Sequence, residues 1–542
     1  MGEPVVNGLM MDDYPLSLTA LVERAEQLTP GRKVVSRRPD GSVDRTTMGD
    51  CARRARSLAS GLAELGIKEG DRVGTLMWNQ SEHLEAYYAM PAMGAVVHTL
   101  NPRLHPDELA FIAADAEDRA IIVDESLLNV LDSFKDRHEF EHVIVVSHSG
   151  DTPDDTIEYE QLLDSANAPA TWIEPNERRA AAICYTSGTT GRPKGVLYSH
   201  RALVLHSMAA ALPGAMNVSA RDVMLPVVPM FHANAWGIPY TATLVGAALV
   251  LPGPKLDAES VLDLLADEHV TLTAGVPTVW MAMLGAIEEE PDRWDLSRVH
   301  RLLVGGSAVP KSMIAGYHKH GLEILQGWGM TETSPLASSS LLPVELEDLP
   351  DDEQFEYRAR QGVPQPFVDI RARGDDGELI PWDDETMGEL EVRGPFVAGA
   401  YFGGTGAEKF TDDGWFQTGD VVKIDQHGSI RITDRSKDLV KSGGEWISSV
   451  DMENLLMGHP AVAEAAVIAI PDEKWDERPM AVIVLKGGAE ATPDELREHL
   501  SGHFAKWQLP ERVEFMDEIP RTATGKFKKI ALREQFVKTG VS

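Results

Sequence analysis

Residues Ala180 to Gly195 read AAAICYTSGTTGRPKG, an apolar run that breaks after Tyr185 into glycines, hydroxyls and one lysine. The first half has the texture of a strand buried on both faces. The second half cannot continue it. Gly188 and Gly191 free the backbone, Thr186, Ser187, Thr189 and Thr190 supply hydroxyls, and Lys194 supplies an ammonium group. A strand feeding such a loop suits closure over a polyphosphate, with backbone N–H groups, hydroxyls and one cation around the phosphates. It is not a Walker A loop, because GxxxxGK[ST] is absent.

Outward from this run, strands and helices alternate. Gly49–Leu65 places Ala, Leu and Cys at helical spacing with arginines opposite, and GDRVGTLMW after Gly66 reads as a strand. A helix through His83–Met93, the strand AVVHTLNP, a helix from Pro106 and the strand AIIVD follow, and VIVVS, AALVLPG, TLTAGVP and RLLVGGS continue the pattern. Such alternation implies α/β architecture, with parallel sheets covered by helices. From Val363 the texture changes to hairpin turns and alternating residues, which predicts a small antiparallel barrel. After Asp434 a compact α+β piece is expected, with a domain boundary near Thr433–Asp438.

At 542 residues the chain is too long for one core. Its net charge of -35 argues against nucleic-acid binding, which needs a basic face, and is compatible with a salt-rich host. Anionic ligands would then need local basic islands such as Arg521–Lys529 (RTATGKFKK). Two cysteines, Cys51 and Cys184, imply neither a disulfide framework nor a cysteine metal site. The start lacks the basic and apolar regions of a signal peptide, so a cytoplasmic protein is expected. The uncharged stretch Ala233–Pro254 carries Pro239, Gly237 and Gly246, which favours a buried helix and strand over a membrane span.

Further segments carry chemistry. Gln326–Pro335 (QGWGMTETSP) offers Thr331 to a nucleotide and Glu332 as a hard oxygen ligand for Mg²⁺. Asp420, in WFQTGD, is placed to take ribose hydroxyls. Asp434–Asp438 puts four charges in five residues at the expected boundary, which suits a hinge. In VPMFHANAWGIPY, His232 has no second histidine at helical spacing and so is not read as a zinc ligand. With Phe231, Trp236 and Tyr240 it suits the wall and mouth of an apolar acyl pocket. PRTATGK, at 520–526, holds Lys526 on a Gly-containing turn.

The ordered set YTSGTTGRPKG, VGGSAVP, QGWGMTETSP, WFQTGD, DRSKDLVKSGGEWIS and PRTATGK resembles that of the AMP-forming acyl-CoA synthetases, within the adenylate-forming enzymes. VPMFHANAWGIPY and KSGGEWISS resemble the branch for medium- and long-chain fatty acids and 3-methylmercaptopropionate. The resemblance implies an N-terminal domain, about 1–433, of two helix-covered sheets and a small barrel, with a mobile lid at about 434–542. It implies that Thr186, Ser187, Gly188, Thr189, Thr190 and Lys194 hold the pyrophosphate end of ATP. Gly306, Ser307, Ala308, Gln326, Gly327, Trp328, Gly329 and Met330 would surround adenine and the acyl chain. Thr331 would meet the α-phosphate, and Thr186 with Glu332 would hold Mg²⁺. Asp420 and Arg435 would grip the ribose beside Ile432, with Lys437 at the hinge and Trp446 on the adenine side. Lys526 would be the adenylation lysine. Trp236 would gate the acyl tunnel near His232, and Lys441, Ser442, Gly443 and Gly444 would form the coenzyme A face. Trp328 stands where the branch more often has Tyr, which implies a narrower pocket.

The activity so implied is attack of a carboxylate on the α-phosphorus of ATP, release of pyrophosphate, and transfer of the acyl group from AMP to coenzyme A. Short to medium acids, with 3-methylmercaptopropionate named, rank above long-chain fatty acids, and a homodimer is expected. An enzyme that hands its acyl-adenylate to a carrier protein is the first rival; the coenzyme A face speaks against it. A non-catalytic nucleotide sensor is the second, and the presence of Lys526 and Glu332 speaks against that. A luciferase-like oxygenase is the third.

Overall fold

The computed structural model describes Met11 and residues 14–150, 152–166, 169–186, 192–435, 437–442, 445–472, 474–521 and 527–537. Among them, one seven-stranded sheet runs Ile157–Glu158, His142–Val146, Asp118–Asp124, Arg72–Leu76, Val96–Thr99, Ala180–Tyr185, Gly195–Ser199. Every pair is parallel except the last, where Gly195–Ser199 turns back on Ala180–Tyr185 and Tyr185 pairs with Gly195. The glycine-rich segment is therefore the connection of an edge hairpin.

A nine-stranded sheet stands beside it. Its centre is parallel, with Val223–Pro226, Leu272–Gly275, Arg301–Val304 and Glu323–Gly329 as neighbours. Antiparallel strands close both edges. The helix Ser81–Ala92 is buried along its whole length. One continuous core joins it to Val73, Val97 and Ala182 of the first sheet and to Val34, Met224, Leu249 and Leu303 of the second. A helix with no wet face must satisfy its polar side chains internally. Arg38 donates to both oxygens of Glu82 at 2.8 Å, and Glu85 accepts from Arg54 and the Tyr159 hydroxyl at 2.7 Å each. Burial pushes the Glu85 carboxyl up to about 8.

The expected barrel takes the form of a four-stranded antiparallel sheet, Asp369–Arg373, Gly388–Arg393, Phe416–Ile424 and Ile430–Arg435 in order. The piece beyond it has a five-stranded sheet with the helices Ser449–Met457, Pro493–Ser501 and Lys529–Phe536, and its two cores use only its own residues. The uncharged stretch resolves into short helices, Ala233–Trp236 and Ile238–Val245, and the strand Ala248–Leu251. No helix among the described residues is long and apolar enough to cross a membrane.

Candidate active site

Several of the segments singled out in the sequence are in contact: the hairpin Ala180–Ser199 with the Thr331–Glu332 turn, and Trp328 with the Asp420–Arg435 pair. On the phosphate side, Thr186 and Lys194 close the hairpin. The Thr186 N–H donates to the Lys194 carbonyl at 3.0 Å, and the Lys194 N–H donates to the Thr186 hydroxyl at 3.2 Å. The Lys194 ammonium lies 3.7 Å from Glu408 and 5.0 Å from the centre of the Tyr401 ring. The Tyr401 hydroxyl donates to Oε1 of Glu332 at 2.6 Å. Tyr198, on the returning strand of the hairpin, donates to the Thr331 carbonyl at 2.7 Å. Two tyrosines thus tie the loop to the Thr331–Glu332 turn.

On the expected ribose side, Asp420 and Arg435 face each other on paired strands, and Arg435 Nε lies 2.6 Å from Asp420 Oδ1. The other oxygen, Oδ2, accepts from the Trp328 indole N–H at 3.0 Å. Trp328 is therefore tied through its indole N–H to the Asp420–Arg435 pair, a partner that the sequence reading does not name. Ile432 is next to these groups, its N–H donating to Gln361 Oε1 at 2.6 Å. Lys437 is exposed, and partial desolvation of its ammonium by the surrounding protein depresses its pKa.

The acyl-side segment has unusual backbone. Ala233, Asn234, Ala235, Trp236 and Gly237 all have positive φ, at 42°, 54°, 48°, 57° and 73°, making one left-handed turn. Such a conformation costs roughly 1–2 kcal/mol per non-glycine residue, so surrounding contacts must hold it. Asn234 supplies them: its Oδ1 lies 3.1 Å from the Tyr87 hydroxyl and 3.4 Å from Cys184 Sγ, on the strand that feeds the phosphate loop. The turn presents Trp236 to Gly305, where a Cβ would lie 2.9 Å from the Gly327 carbonyl and 3.1 Å from the indole, so a side chain there would crowd both. His206 backs the same turn, with Nε2 accepting from the Leu336 N–H at 3.0 Å. Gly306 and Ser307 are exposed beside it, with Ala308, Gly327, Gly329, Met330 and Thr331 half-buried and Gln326 buried. His232 is half-buried at the start of the turn.

Of the residues expected at the coenzyme A face, Lys441 and Ser442 lie on the strand Val440–Ser442, which pairs with Glu445–Ile447. Lys441 Nζ lies 3.5 Å from Asp375 and 5.8 Å from the Trp446 ring centre, while Ser442 is buried. The basic island splits. Arg521 pairs with Glu464, and Lys529 is buried against Glu453 at 2.7 Å, so neither is offered to an anion. Ser187, Gly188, Thr189, Thr190, Gly443, Gly444 and Lys526 lie outside the described residues.

Sequence reasoning does not pick out Tyr87, Tyr198 or Tyr401, and takes Asn234 only as a polar neighbour of the acyl-side aromatics. A hydroxyl or amide in an apolar run was the signal each time, but it names no partner.

The AMP-binding enzyme model matches residues 22–402, and the AMP-binding enzyme C-terminal domain matches 451–526. The chain is 49% identical over 530 residues to a long-chain-fatty-acid–CoA ligase of Thermus thermophilus, covering 97% of this chain and 96% of that one. It is 42% identical over 538 residues to a 3-methylmercaptopropionyl-CoA ligase of Ruegeria lacuscaerulensis, covering 98% of each. The crystal structure of ATP-bound MatB from Rhodopseudomonas palustris matches with a TM-score of 0.81 at 27% identity, covering 96% of this chain and 99% of that one. With both family models matched and relatives at 49% and 42% identity covering nearly the whole chain, the chain belongs to the AMP-binding enzymes as an adenylate-forming acyl-CoA ligase.

Proposed function

We propose that the chain activates a short or medium straight-chain carboxylic acid, with 3-methylmercaptopropionate a named candidate. What supports the site assignment is the chain of contacts from Lys194 through Tyr401 to Glu332, together with the Asp420–Arg435 pair bonded to Trp328, four residues before Glu332. Lys194 and the hairpin amides hold the pyrophosphate end of ATP, and Asp420 with Arg435 takes the ribose. The acid enters past Trp236 with its carboxylate toward the α-phosphorus. The carboxylate attacks, the bond to pyrophosphate breaks, and AMP becomes the leaving group for the coenzyme A thiol.

The Thr186 hydroxyl and the Glu332 carboxylate are hard oxygen donors that fit Mg²⁺. Oε1 of Glu332 is held by Tyr401, while Oε2 has no donor among the described residues. Bound there, the ion would offset the charge that gathers on the phosphates in the first step. Lys526, on a lid of about 434–542 that pivots near Lys437, offsets charge in the same step and then leaves to admit the thiol. Lys526→Ala lowers adenylation about a hundredfold or more, by analogy with other preorganised charge stabilisers. It leaves thioester formation from supplied acyl-adenylate largely intact. Equal loss of both half-reactions would count against this assignment.

A long-chain acid is the second reading, favoured by the 49% identity to the Thermus thermophilus ligase. Coenzyme A-dependent AMP release across acids from acetate to palmitate, with 3-methylmercaptopropionate included, separates the two. We also propose a homodimer, testable by light scattering, and a cytoplasmic location alongside ATP and coenzyme A, testable by fractionation.

A further inference from the structure

We propose that Tyr401 is a positioning residue that sets the carboxylate of Glu332 and the ammonium of Lys194 relative to each other. This rests on the reading of those two residues as metal and phosphate ligands. Tyr401 is 7% exposed, and its ring is fixed edge-on against Phe410 at 5.6 Å and Phe416 at 6.5 Å between centroids. From that fixed ring its hydroxyl donates to Glu332 Oε1 at 2.6 Å, while the ring lies 5.0 Å from Lys194 Nζ. One side chain therefore touches both groups, and it touches them differently: by a hydrogen bond on one side and a cation–π contact on the other.

The surrounding segment is shaped for this. Gly406 has φ +69°, and a Cβ there would lie 2.6 Å from Lys194 Nζ and 2.9 Å from the Tyr401 ring. Any larger residue at 406 would push the lysine off the ring. The same segment holds Glu332 from behind, because the Ala398 N–H donates to the Glu332 carbonyl at 2.7 Å. A carboxylate pinned through Oε1 keeps one rotamer and leaves Oε2 for a cation. Partners that orient a metal ligand in this way typically change metal affinity 10–100-fold when removed. The hydroxyl therefore serves the metal side and the ring serves the phosphate side.

The two contacts separate by substitution. Tyr401→Phe keeps the ring and removes the hydroxyl; Tyr401→Leu removes both; Glu332→Gln tests the underlying reading. For each variant, ATP–pyrophosphate exchange is measured against free Mg²⁺, Mn²⁺ binding in the presence of ATP is followed by electron paramagnetic resonance, and thioester formation is measured from supplied acyl-adenylate. The expected result for Tyr401→Phe is a roughly 10–100-fold rise in the Mg²⁺ needed for half-maximal exchange and weaker Mn²⁺ binding. Saturating Mg²⁺ restores its exchange rate, and its thioester formation is unchanged. Tyr401→Leu adds a higher KM for ATP that Mg²⁺ does not rescue. Wild-type metal dependence in Tyr401→Phe, alongside lost exchange in Glu332→Gln, overturns the role of Tyr401 alone. Wild-type exchange and Mn²⁺ binding in Glu332→Gln overturns the reading beneath it as well.

Discussion

The indole N–H of Trp328 and the carboxylate of Asp420 form a 3.0 Å hydrogen bond, and Asp420 spends its second oxygen on Arg435 at 2.6 Å. Asp420 is 2% exposed, so its orientation depends on these partners. A hydrogen bond to a charged group is worth about 1.5–3 kcal/mol. Trp328→Phe, which keeps an aromatic ring and removes the donor, should raise KM for ATP roughly tenfold or more without moving the preferred acid chain length. Steady-state kinetics with ATP and with a panel of acids decides this. A shifted chain-length optimum at unchanged KM for ATP would assign Trp328 to the acyl pocket.

Asn234 anchors a left-handed turn whose other non-glycine residues have no side-chain reason to be there. Asn tolerates positive φ better than Ala, and its amide oxygen meets Tyr87 and Cys184. Asn234→Ala should destabilise the protein by about 1–3 kcal/mol, the cost of a strained residue losing its support. It should also raise KM for the acid more than KM for ATP, because Trp236 rides on the same turn. Urea unfolding together with kinetics for both substrates checks the pair of effects. A rise in KM for ATP alone would separate the turn from the acyl side.

Much of this site was legible because its residues lie in runs whose composition has few uses. AAAICY reads as a strand and is one, Ala180–Tyr185, whereas TSGTTG reads either as a plain flexible turn or as a phosphate loop, and the order of the later motifs favours the second. The sequence could not show that the loop is a hairpin, because Gly195–Ser199 reads as a strand without naming its neighbour. Nor could it show the left-handed turn, since HANAWG contains one glycine and backbone sign is not written in side-chain type. The partner of Trp328 is hidden for a similar reason: its size is visible, but the bond of its indole N–H depends on Asp420, which arrives from the four-stranded sheet. Lys529 looked like a cation for ligands and is a buried structural one, because Glu453 and Asp434 come from elements distant in the chain.

Three buried histidines make the fold sensitive to acid. Burial pushes His83 and His200 down to about 4 and His206 to about 3, from an ordinary value of 6.5. A depressed folded pKa means that the unfolded chain binds the proton first, so stability is intact above pH 6.5 and falls as pH drops toward 4. Glu85, raised to about 8 by burial, has the opposite sign and offsets one of the three between pH 6.5 and 4.5. The net loss over that window is on the order of 2–3 kcal/mol per pH unit from these groups. Chemical unfolding as a function of pH reads the slope, and His206→Asn should reduce it by about one proton. An unchanged slope in that variant would mean that His206 is not among the groups that titrate.

The Lys529 ammonium sits at the first residue of the helix Lys529–Phe536, 2.7 Å from Glu453 and 2.6 Å from the Ser449 hydroxyl. Burial acts to lower its pKa, but Glu453 and Asp434 overcome that and the pKa is raised, so the lysine is a paired internal cation. Asp434 in turn accepts from the Ser449 N–H at 3.0 Å, and the helix also holds Asp438 through Arg533 at 2.7 Å. The helix Lys529–Phe536 thus pairs with Asp438 and acts on Asp434 through the charge of Lys529, while the helix Ser449–Met457 supplies the Asp434 hydrogen bond. Removing one member of a buried pair leaves the other uncompensated, at a cost of about 3–5 kcal/mol. Lys529→Met should therefore loosen the C-terminal unit and slow adenylation, because the segment carrying Lys526 enters the helix at this residue. Lys529→Met combined with Glu453→Gln should regain part of the loss, because the stranded charge is then gone. Limited proteolysis and denaturant unfolding of the two variants, with both half-reactions measured, provide the readout. Wild-type stability in Lys529→Met would show that the cation adds nothing to the unit, and a double variant no better than the single would show that Glu453 is not its counter-charge.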